Sequence, residues 1–520
     1  MKRIIISFIS ILLILVAILV LTISMAPTKN LGESEISAGQ KPILLLTIDS
    51  LMSEPLQKAM QIGHAPALSF LVSKGQLIPD VISSYPTMSV TIDSTILTGA
   101  YADQHKIPGL IWFDQEEQRI ISYGSGMREI WNNGVKKVAR DSIIHLNNDH
   151  LSEDVKTIYE NLADSQIQSA SINGLIYRGD IEQQLNVPKM LSLLQLLPKE
   201  IEVKGPTILS LGALSQYNPD NDKNKFIWNR MGVADDFTLN ELKYLIEQNQ
   251  LPPFTLAYFP DLDAKVHRNG PDELKAVEEV DQKIQDILNL FPTWEEAIEE
   301  ITWIVMGDSA QSLVNKDKEK GLIDLNELLE GYSFWNGKKT EGQIAIAINE
   351  RMAYINLNDE TIEMSSVIEK LKKDKRMGFI AWKDADHNFI LSPEKETVLS
   401  FSKTGQYKDS YNQSWNLEGD ASLLDISVTD DGLIEYGSYP DGLARLDGAL
   451  NSHEGRFIIV DAKPSYEFIE EHSRDHAGGG AHGSLHQIDS LVPLIIVGTD
   501  TKPKYNRVVD IKDWLMEIVQ

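Results

Sequence analysis

The 520-residue sequence contains no cysteine, which excludes disulfide bonds and a lipid-modified N-terminal cysteine. Positive charge is also scarce, because 48 basic residues stand against 76 acidic ones and give a formal net charge of −28. Binding to a nucleic acid backbone needs concentrated Lys and Arg, so this balance argues against a nucleic acid polymer as partner. An acidic surface instead raises the local concentration of cations, which is compatible with a metal-dependent protein.

One long apolar run occupies residues 4–25 and directly follows Lys2 and Arg3. About 20 such residues cross a bilayer core of roughly 30 Å, and the run is longer than the apolar part of a signal peptide, about 7–15 residues. We therefore expect residues 1–26 to form a transmembrane anchor, with the two basic residues in the cytoplasm and the remaining chain outside the cell membrane. The alternative is a signal peptide cleaved after Ala26, which would release a secreted protein.

The remaining chain alternates short apolar runs with longer amphipathic stretches, a pattern typical of βαβ units. We predict an α/β fold in which helices flank a mostly parallel central sheet. After a polar linker at 27–40, the catalytic domain would comprise residues 41–324 and 436–520. Short β-like pieces and a charged helix between them predict an α+β cap or insertion at 325–435.

The sheet prediction depends on six apolar runs. The predicted strands are Ile43–Ile48, Gln168–Leu175, Thr255–Phe259, Ile301–Met306, Arg456–Val460 and Leu491–Val497. The predicted helices include Ala65–Lys74, Asp149–Asp164 and Asp272–Phe291.

Two of these strands are followed at once, or after a single glycine, by an aspartate, Asp49 and Asp308. Ligands of open α/β sheets bind outside the carboxyl ends of the strands, so both side chains lie where chemistry is expected. An aspartate after a buried strand, taken alone, is usually a cap or turn residue. Both are candidate metal ligands because other strand-like segments also lead into acidic or imidazole side chains.

A third strand is followed by Asp263 and His267, which are four residues apart. One helical turn would bring this carboxylate and this imidazole onto the same face. The pair suits Zn²⁺ or Mn²⁺, although a surface Asp–His pair is the alternative interpretation. Asp261 is a competing ligand candidate.

Ser89 follows a Pro-Thr turn at the start of a predicted helix. Free N–H groups and the positive end of the helix dipole favour an anion there, so Ser89 could be a nucleophile or a metal ligand. An ordinary N-cap is the alternative.

His482 lies in a glycine-rich loop that begins with Gly478–Gly480, where core packing offers little reason for an imidazole. The additional candidates nearby are His472, His476 and His486. Together the segments supply Asp49, Ser89, Asp263, His267, Asp308 and His482. This set suits one metal ion with nitrogen and oxygen ligands and a second with oxygen ligands, and two ions about 3.5–4 Å apart can clamp an in-line displacement at phosphorus.

The order of these motifs resembles that of the alkaline phosphatase superfamily, specifically the type I phosphodiesterase/nucleotide pyrophosphatase family. The matching segments are Asp49, Pro86–Ser89, Thr98–Tyr101, His105–Ile107, Asp263–Pro271 and His482–Gly483. The resemblance covers most of residues 41–315 and 440–500. No single motif is decisive, but the shared order of these segments is strong evidence.

The resemblance implies an alkaline phosphatase-like fold and a covalent mechanism. Ser89 would attack phosphorus, and water would then release the phosphoryl group. The implied ligands are Asp263, His267 and His482 for Zn or Mn, and Asp49, Ser89 and Asp308 for Mg, Mn or Zn.

Two positions depart from the family pattern. Ser309 stands where the family has a histidine after the aspartate, and the resulting oxygen-only set favours Mg²⁺ or Mn²⁺. Leu110 stands where nucleotide pyrophosphatases have an asparagine that binds a phosphoryl oxygen. Loss of one such donor commonly costs about 10²–10³ in rate.

We therefore expect an extracytoplasmic, metal-dependent hydrolase of small-molecule or cell-envelope phosphate esters, with diesters preferred. The alternatives are a phosphomonoesterase or an envelope phosphotransferase of the same superfamily. Ser309 and Leu110 also suggest a surface pseudoenzyme with a degraded metal site. A sulfatase is disfavoured because no basic formylglycine motif surrounds Ser89.

Overall fold

The computed structural model describes residues 28–33, 41–335 and 342–519. The predicted anchor at 1–26 lies outside the described residues, as does most of the predicted linker at 27–40. In the described part of the chain, every helix is too short or too polar to cross a bilayer.

Among the described residues, strands and helices alternate from residue 43 to about residue 310, and strands dominate the following 150. The strands are β1 Ile43–Ile48, β2 Gln76–Ile82, β3 Ile111–Asp114, β4 Arg119–Ser122, β5 Ser169–Ile172, β6 Ile181–Asn186, β7 Glu200–Gly205, β8 Ile208–Ser210, β9 Phe254–Phe259, β10 Thr302–Gly307, β11 Ser312–Leu313, β12 Leu322–Asp324, β13 Ile344–Asn349, β14 Met352–Leu357, β15 Met377–Asp384, β16 His387–Leu391, β17 Val398–Asp409, β18 Ser414–Gly419, β19 Ile426–Val428, β20 Leu433–Tyr436, β21 Phe457–Ala462, β22 Glu467–Ile469, β23 Gly480–Ala481 and β24 Leu491–Val497.

The helices are short, and most follow a strand. The α-helices are α1 Ser53–Gln61, α2 Pro66–Lys74, α3 Ser89–Thr98, α4 Ala102–His105, α5 Met127–Asn133, α6 Val135–Arg140, α7 Ile158–Asp164, α8 Lys189–Leu193, α9 Asp235–Glu247, α10 Asp261–Asn269, α11 Leu274–Leu288, α12 Trp294–Glu300, α13 Lys318–Gly321, α14 Leu325–Leu328, α15 Met364–Leu371, α16 Gly442–Leu450, α17 Gln487–Ser490 and α18 Ile511–Val519. A π-helix spans Asp141–His150.

The central sheet has seven strands in the order β2-β24-β10-β1-β9-β5-β8. Strands β10, β1, β9, β5 and β8 run parallel to one another, whereas β24 is antiparallel to both of its neighbours. This confirms the predicted α/β fold with a mostly parallel central sheet.

Both faces of the central sheet are covered. Leu44 of β1 packs in a core with helices α1, α2, α9 and α11, whereas Leu45 packs on the opposite face with α3, α7 and α18. Because successive strand residues point to opposite faces and both faces are apolar, all six residues of β1 are buried. The continuous apolar runs of the sequence follow from this burial on two sides.

A second, mostly antiparallel sheet has the order β13-β14-β21-β15-β16-β17-β20-β19, with β18 paired to β17. Strand β21 lies between β14 and β15, so this sheet extends past residue 435, the predicted end of the cap. Every residue of β21 is buried, as in a central parallel strand. Hydrophobicity alone therefore does not distinguish which sheet this strand joins.

The predicted helix Asp149–Asp164 is too long at its N-terminus, because α7 begins only at Ile158. A capping box sets this boundary: Glu160 N–H donates to Thr157 Oγ1 (3.2 Å), and Thr157 N–H donates to Glu160 Oε2 (2.7 Å).

Candidate metal centre and nucleophile

Three neighbouring parallel strands deliver carboxylates to one edge of the central sheet. Asp49 follows β1 and Asp308 follows β10, and the last residues of these strands, Ile48 and Gly307, are paired. On the other side of β1, strand β9 leads into α10, whose first turn carries Asp263. These three predicted ligands therefore meet at the carboxyl edge of the sheet.

Ser89 is the first residue of α3, and Met88 occupies the N-cap position. The serine hydroxyl therefore does not cap the helix, which is what the alternative interpretation required. Its Oγ lies 3.4 Å and 3.5 Å from the two carboxylate oxygens of Asp49. Ser89 is partly exposed while Asp49 is 5% exposed, so the hydroxyl is accessible at the mouth of a buried acidic site.

Asp263, His267 and His482 form a second group beside the first. Asp263 Oδ1 lies 3.1 Å from His267 Nε2 and 3.8 Å from His482 Nε2. Each imidazole donates its Nδ1–H to a backbone carbonyl, His267 to Gly480 (2.8 Å) and His482 to Thr87. These hydrogen bonds orient both Nε2 atoms toward the carboxylate, the arrangement that metal-binding histidines need.

Glu350 joins this group from the second sheet. It occupies the tight turn between β13 and β14 and adopts a φ of 58°, which is uncommon for a residue other than glycine. Its Oε1 lies 3.6 Å from His267 Nε2, and its Oε2 lies 3.9 Å from His482 Nε2. A strained backbone that places a carboxylate against two imidazoles indicates a functional position.

His476, an additional candidate from the sequence, also lies here. Its ring stacks on that of His267 with centroids 4.3 Å apart, and its Nδ1 is 2.6 Å from Glu467 Oε1. Donor atoms of Asp263, His267 and His482 lie within 4.8 Å of one another, as do those of His267, Glu350 and His476. The two overlapping groups could each hold a metal ion.

The acidic side chains repel one another in the absence of cations. Burial, and then the charges of Asp308 and Asp263, raise the pKa of Asp49 well above its usual value. Burial likewise raises the pKa of Asp308. Asp93, one helical turn after Ser89, adds to this repulsion, and its own pKa is raised by burial and by Asp308.

Asp308 has an open coordination position. Its Oδ1 accepts hydrogen bonds from the backbone N–H groups of Ser50 (2.9 Å) and Ser309 (2.6 Å). Its Oδ2 is buried and has no hydrogen-bond partner among the described residues. A buried carboxylate oxygen without a donor is costly unless a cation binds it, so the residues present fit a divalent ion.

The charge distribution in the histidine group also fits a cation. Burial disfavours the charged form of His267, but the charges of Asp263 and Glu350 outweigh it and raise its pKa to about 10. For Glu350, burial is outweighed by the histidines, chiefly His267, which lower its pKa to about 2. A divalent ion bound here would replace the positive charge that a protonated His267 supplies to these carboxylates.

The departure at Ser309 is accommodated by a network of hydroxyl and amide groups. Ser309 Oγ lies 3.2 Å from Ser50 Oγ, which donates to Asp263 Oδ1 (2.9 Å). Gln311 Nε2 donates to both Ser50 Oγ (2.8 Å) and Asp263 Oδ1 (2.7 Å). Neutral groups therefore connect the segment of Asp308 with Asp263 at the place where the resembling family has an imidazole.

The departure at Leu110 is not compensated by the nearby asparagine. Asn349 Oδ1 accepts from the backbone N–H of Leu110 (2.8 Å), and its Nδ2 donates to the carbonyl of Ile111 (2.8 Å). Because both ends of the Asn349 amide bind the loop, it does not supply the missing donor.

Three other candidates lie outside the cluster. Asp261 pairs with Arg230 and accepts from the backbone of Asp235. His486 caps α17 through its own ring nitrogen. His472 lines an adjacent cavity.

Sequence reasoning missed Glu350, Asp93 and Gln311. Glu350 belongs to no motif, and only the turn between β13 and β14 and its contact with the loop of His482 bring it to the histidines. Asp93 had a weak signal, because a residue four positions after a candidate nucleophile on a helix shares its face.

The chain matches the model of the family "type I phosphodiesterase / nucleotide pyrophosphatase" over residues 43–485. No curated protein sequence matches it. Solved structures with the same fold include murine ectonucleotide pyrophosphatase/phosphodiesterase 5, with 13% identity, a TM-score of 0.56, and coverage of 92% of this chain and 95% of that one.

The human counterpart shares 15% identity with a TM-score of 0.55, and the covered fractions are again 92% and 95%. Phosphonoacetate hydrolase from Sinorhizobium meliloti 1021, in complex with phosphonoformate, shares 12% identity with a TM-score of 0.53, and the covered fractions are 93% and 97%. At these identities the similarity establishes the fold.

Proposed function

Because this chain belongs to the type I phosphodiesterase/nucleotide pyrophosphatase family, we propose that it is a metal-dependent phosphodiester hydrolase with Ser89 as nucleophile. The observation that carries the proposal is the position of Ser89 Oγ 3.4 Å from Asp49, at the edge where the carboxylates of Asp263 and Asp308 also lie. A phosphate diester placed there would have its phosphorus within reach of a hydroxyl at a helix N-terminus, which favours an anion.

Two divalent ions held at this site would lower the pKa of the serine hydroxyl and neutralise charge on the transferring phosphoryl group. Asp49 and Asp308 would hold one ion beside Ser89. Asp263, His267 and His482 would hold the other, with Glu350 against the two imidazoles.

In the first step, Ser89 Oγ loses its proton and bonds to phosphorus, while one alcohol leaves and takes up a proton. In the second step, a water molecule cleaves the serine–phosphorus bond, giving a phosphate monoester and restoring the hydroxyl. The helix α3 aligns Ser89, and the backbone carbonyls of Gly480 and Thr87 hold His267 and His482 in the tautomer with Nε2 free.

We further propose that the catalytic domain is extracytoplasmic and attached to the cell membrane by residues 1–26. The apolar run at 4–25 and the two basic residues before it support this placement. A released form would result if that segment is cleaved after Ala26.

The decisive experiment uses the full chain in detergent, loaded in turn with Mn²⁺, Mg²⁺ or Zn²⁺. We expect hydrolysis of bis-p-nitrophenyl phosphate that Ser89→Ala abolishes. Absence of divalent metal binding in calorimetry would contradict the enzyme proposal and favour the pseudoenzyme. Faster hydrolysis of p-nitrophenyl phosphate than of the diester would instead indicate a phosphomonoesterase.

A further inference from the structure

The hairpin of β6 and β7 carries an apolar tip at residues 187–199. Between Lys189 and Lys199 the tip has the sequence Met-Leu-Ser-Leu-Leu-Gln-Leu-Leu-Pro, without an acidic residue, in a chain whose formal net charge is −28. Leu193 is 72% exposed and Leu194 is 62% exposed. Soluble domains rarely expose neighbouring large apolar side chains without a function, so the tip indicates a surface that binds an apolar partner.

The buried core of the hairpin does not include these two leucines. It is made by other apolar side chains, which pack together with β8: Leu185, Val187, Leu197, Ile201, Val203 and Leu209. The hairpin is also fixed beside β8, the edge strand of the central sheet, because Gln183 Nε2 donates to the backbone carbonyls of Pro206 (2.8 Å) and Thr207 (3.1 Å). The fold therefore supports the tip and leaves Leu193 and Leu194 available to a partner.

Lys29, near the start of the described chain, contacts this hairpin. Its backbone N–H donates to the carbonyl of Gln216 (2.7 Å), and its Nζ donates to Gln183 Oε1 of β6 (3.1 Å). From Gln183, strand β6 continues for about 10 Å to Asn186 and leads into the tip. The predicted anchor ends at Ala26, and the chain from there to Lys29 spans at most about 11 Å. A bilayer crossed by residues 1–26 would therefore lie within reach of the tip.

A lipid surface suits the chemistry of the tip. Leucine side chains are stabilised when they leave water for the boundary between headgroups and acyl chains. The flanking lysines can extend along an apolar surface and keep their ammonium groups in the polar headgroup layer. Lys189 is exposed on α8, and Lys199 is exposed and pairs with Glu200 (3.0 Å). Of the possible occupants, lipid is the one that the proposed anchor keeps close to the tip.

We propose that the tip at residues 187–199 inserts Leu193 and Leu194 into the extracytoplasmic surface of the bilayer that holds the protein. This inference rests on the membrane attachment given in the proposed function and goes beyond it, since it does not involve the metal centre. A single tether leaves a domain free to rotate, whereas a tether and an inserted tip together fix the side of the domain that faces the lipid. The tip therefore sets the orientation of the catalytic domain relative to the membrane.

The absence of cysteine allows a single fluorescent probe to be placed at the tip. Ser192→Cys, labelled with the fluorophore NBD, puts the probe beside both leucines, and Ser427→Cys puts it beside the exposed Val428 of β19 in the second sheet. Each full-chain protein is reconstituted in vesicles of phosphatidylcholine and phosphatidylglycerol, with or without a phosphatidylcholine that carries a nitroxide near the top of its acyl chain. We expect the nitroxide to quench the probe at position 192 and not the probe at position 427. Equal fluorescence at position 192 with and without the nitroxide would overturn the inference.

The double variant Leu193→Ser/Leu194→Ser, made with the probe at position 192, tests whether the leucines insert. We expect it to lose the quenching, whereas Val428→Ser/Leu433→Ser, at an exposed apolar pair on the β19–β20 hairpin, should keep it. Both variants change exposed side chains, so the fold should persist, and circular dichroism checks this. Quenching that survives in the leucine variant would overturn the inference. A blue-shifted probe that the nitroxide lipid does not quench would show contact with a protein surface and would overturn it as well.

Failure of this inference is distinguishable from failure of the membrane attachment. Alkaline carbonate releases from the vesicles a chain that residues 1–26 do not anchor. If the chain resists carbonate and the probe at position 192 is not quenched, the attachment stands and the inference falls. If carbonate releases the chain, the attachment falls, and the inference stands only when the probe was quenched before the treatment. Diester hydrolysis by the labelled protein is measured separately and tests the hydrolase alone.

Discussion

Glu350 Oε2 accepts a hydrogen bond of 3.0 Å from the backbone N–H of His482. The first residue belongs to the second sheet, and the second is a predicted metal ligand that follows β23. The adjacent Arg351 is buried and paired with Asp489 of α17, so the turn that carries Glu350 is anchored on the central domain. The second sheet therefore contributes to the geometry of the candidate metal centre.

Replacement of Glu350 by alanine should weaken metal binding at the histidine group. It removes a carboxylate next to two imidazoles, and loss of a residue that supports metal ligands typically costs about 10–100-fold in affinity. Calorimetry with Zn²⁺ or Mn²⁺ measures the effect, with Glu360→Gln as a control on an exposed glutamate of the same region. Unchanged affinity in Glu350→Ala would show that this carboxylate only balances the charge of the histidines.

Ser89→Ala should reduce diester hydrolysis by about 10³-fold or more, because the variant removes the attacking oxygen. Metal binding at the histidine group should persist, because the variant leaves the side chains of that group in place. Acid quenching during turnover should trap a phosphoryl adduct on the wild-type Ser89 peptide, detected by mass spectrometry. Turnover without any adduct, or with an adduct on another residue, would contradict the assignment.

Asp49→Asn should abolish metal binding beside Ser89 and with it most of the activity. No imidazole follows Asp308 in this chain, so Asp49 would contribute a larger share of the ligand charge than in a complete family site. In the metal-free protein the same variant should raise the melting temperature at neutral pH, because it removes a carboxylate that is buried against Asp308 and Asp263. Wild-type activity and metal affinity in Asp49→Asn would refute its role as a ligand.

Asp461 is not among the candidate metal ligands, and its burial should make the stability of the fold depend on pH. Burial raises its pKa to about 7, although Ser484 Oγ (2.6 Å) and the N–H of Leu485 (2.8 Å) both donate to it. Its pKa is higher in the folded than in the unfolded chain, so its contribution to stability is complete below about pH 4 and is lost as the pH rises through 7.

The free energy of unfolding of the wild-type protein should therefore fall by a few kcal/mol between pH 5 and pH 8. In Asp461→Asn, which cannot ionise, this fall should be shallower, while the loss of one acceptor lowers stability at all pH values. Denaturant titrations across this range measure both curves. Parallel curves would show that Asp461 does not titrate on unfolding.

Much of the central sheet could be predicted from local sequence. Strand β1 has the predicted bounds, Ile43–Ile48, and β24 has those predicted at Leu491–Val497, because a strand buried on both faces is a continuous apolar run. The convergence of Asp49 and Asp308 was also predictable, since parallel strands bring their carboxyl ends to one edge.

The sequence by itself determined the α/β fold class, the order of the strand-ending aspartates and the position of Ser89 near a helix start, since these depend on local hydrophobicity and spacing. Only the tertiary structure decided that Glu350 reaches His267 and His482, that β21 joins the second sheet, and that Gln311 contacts Asp263. These contacts join residues that are far apart in the sequence. The local sequence around a polar turn residue or a buried strand does not indicate which residues it will contact. The contact of the β13–β14 turn with the segment from His482 to Asp489 supplies that information.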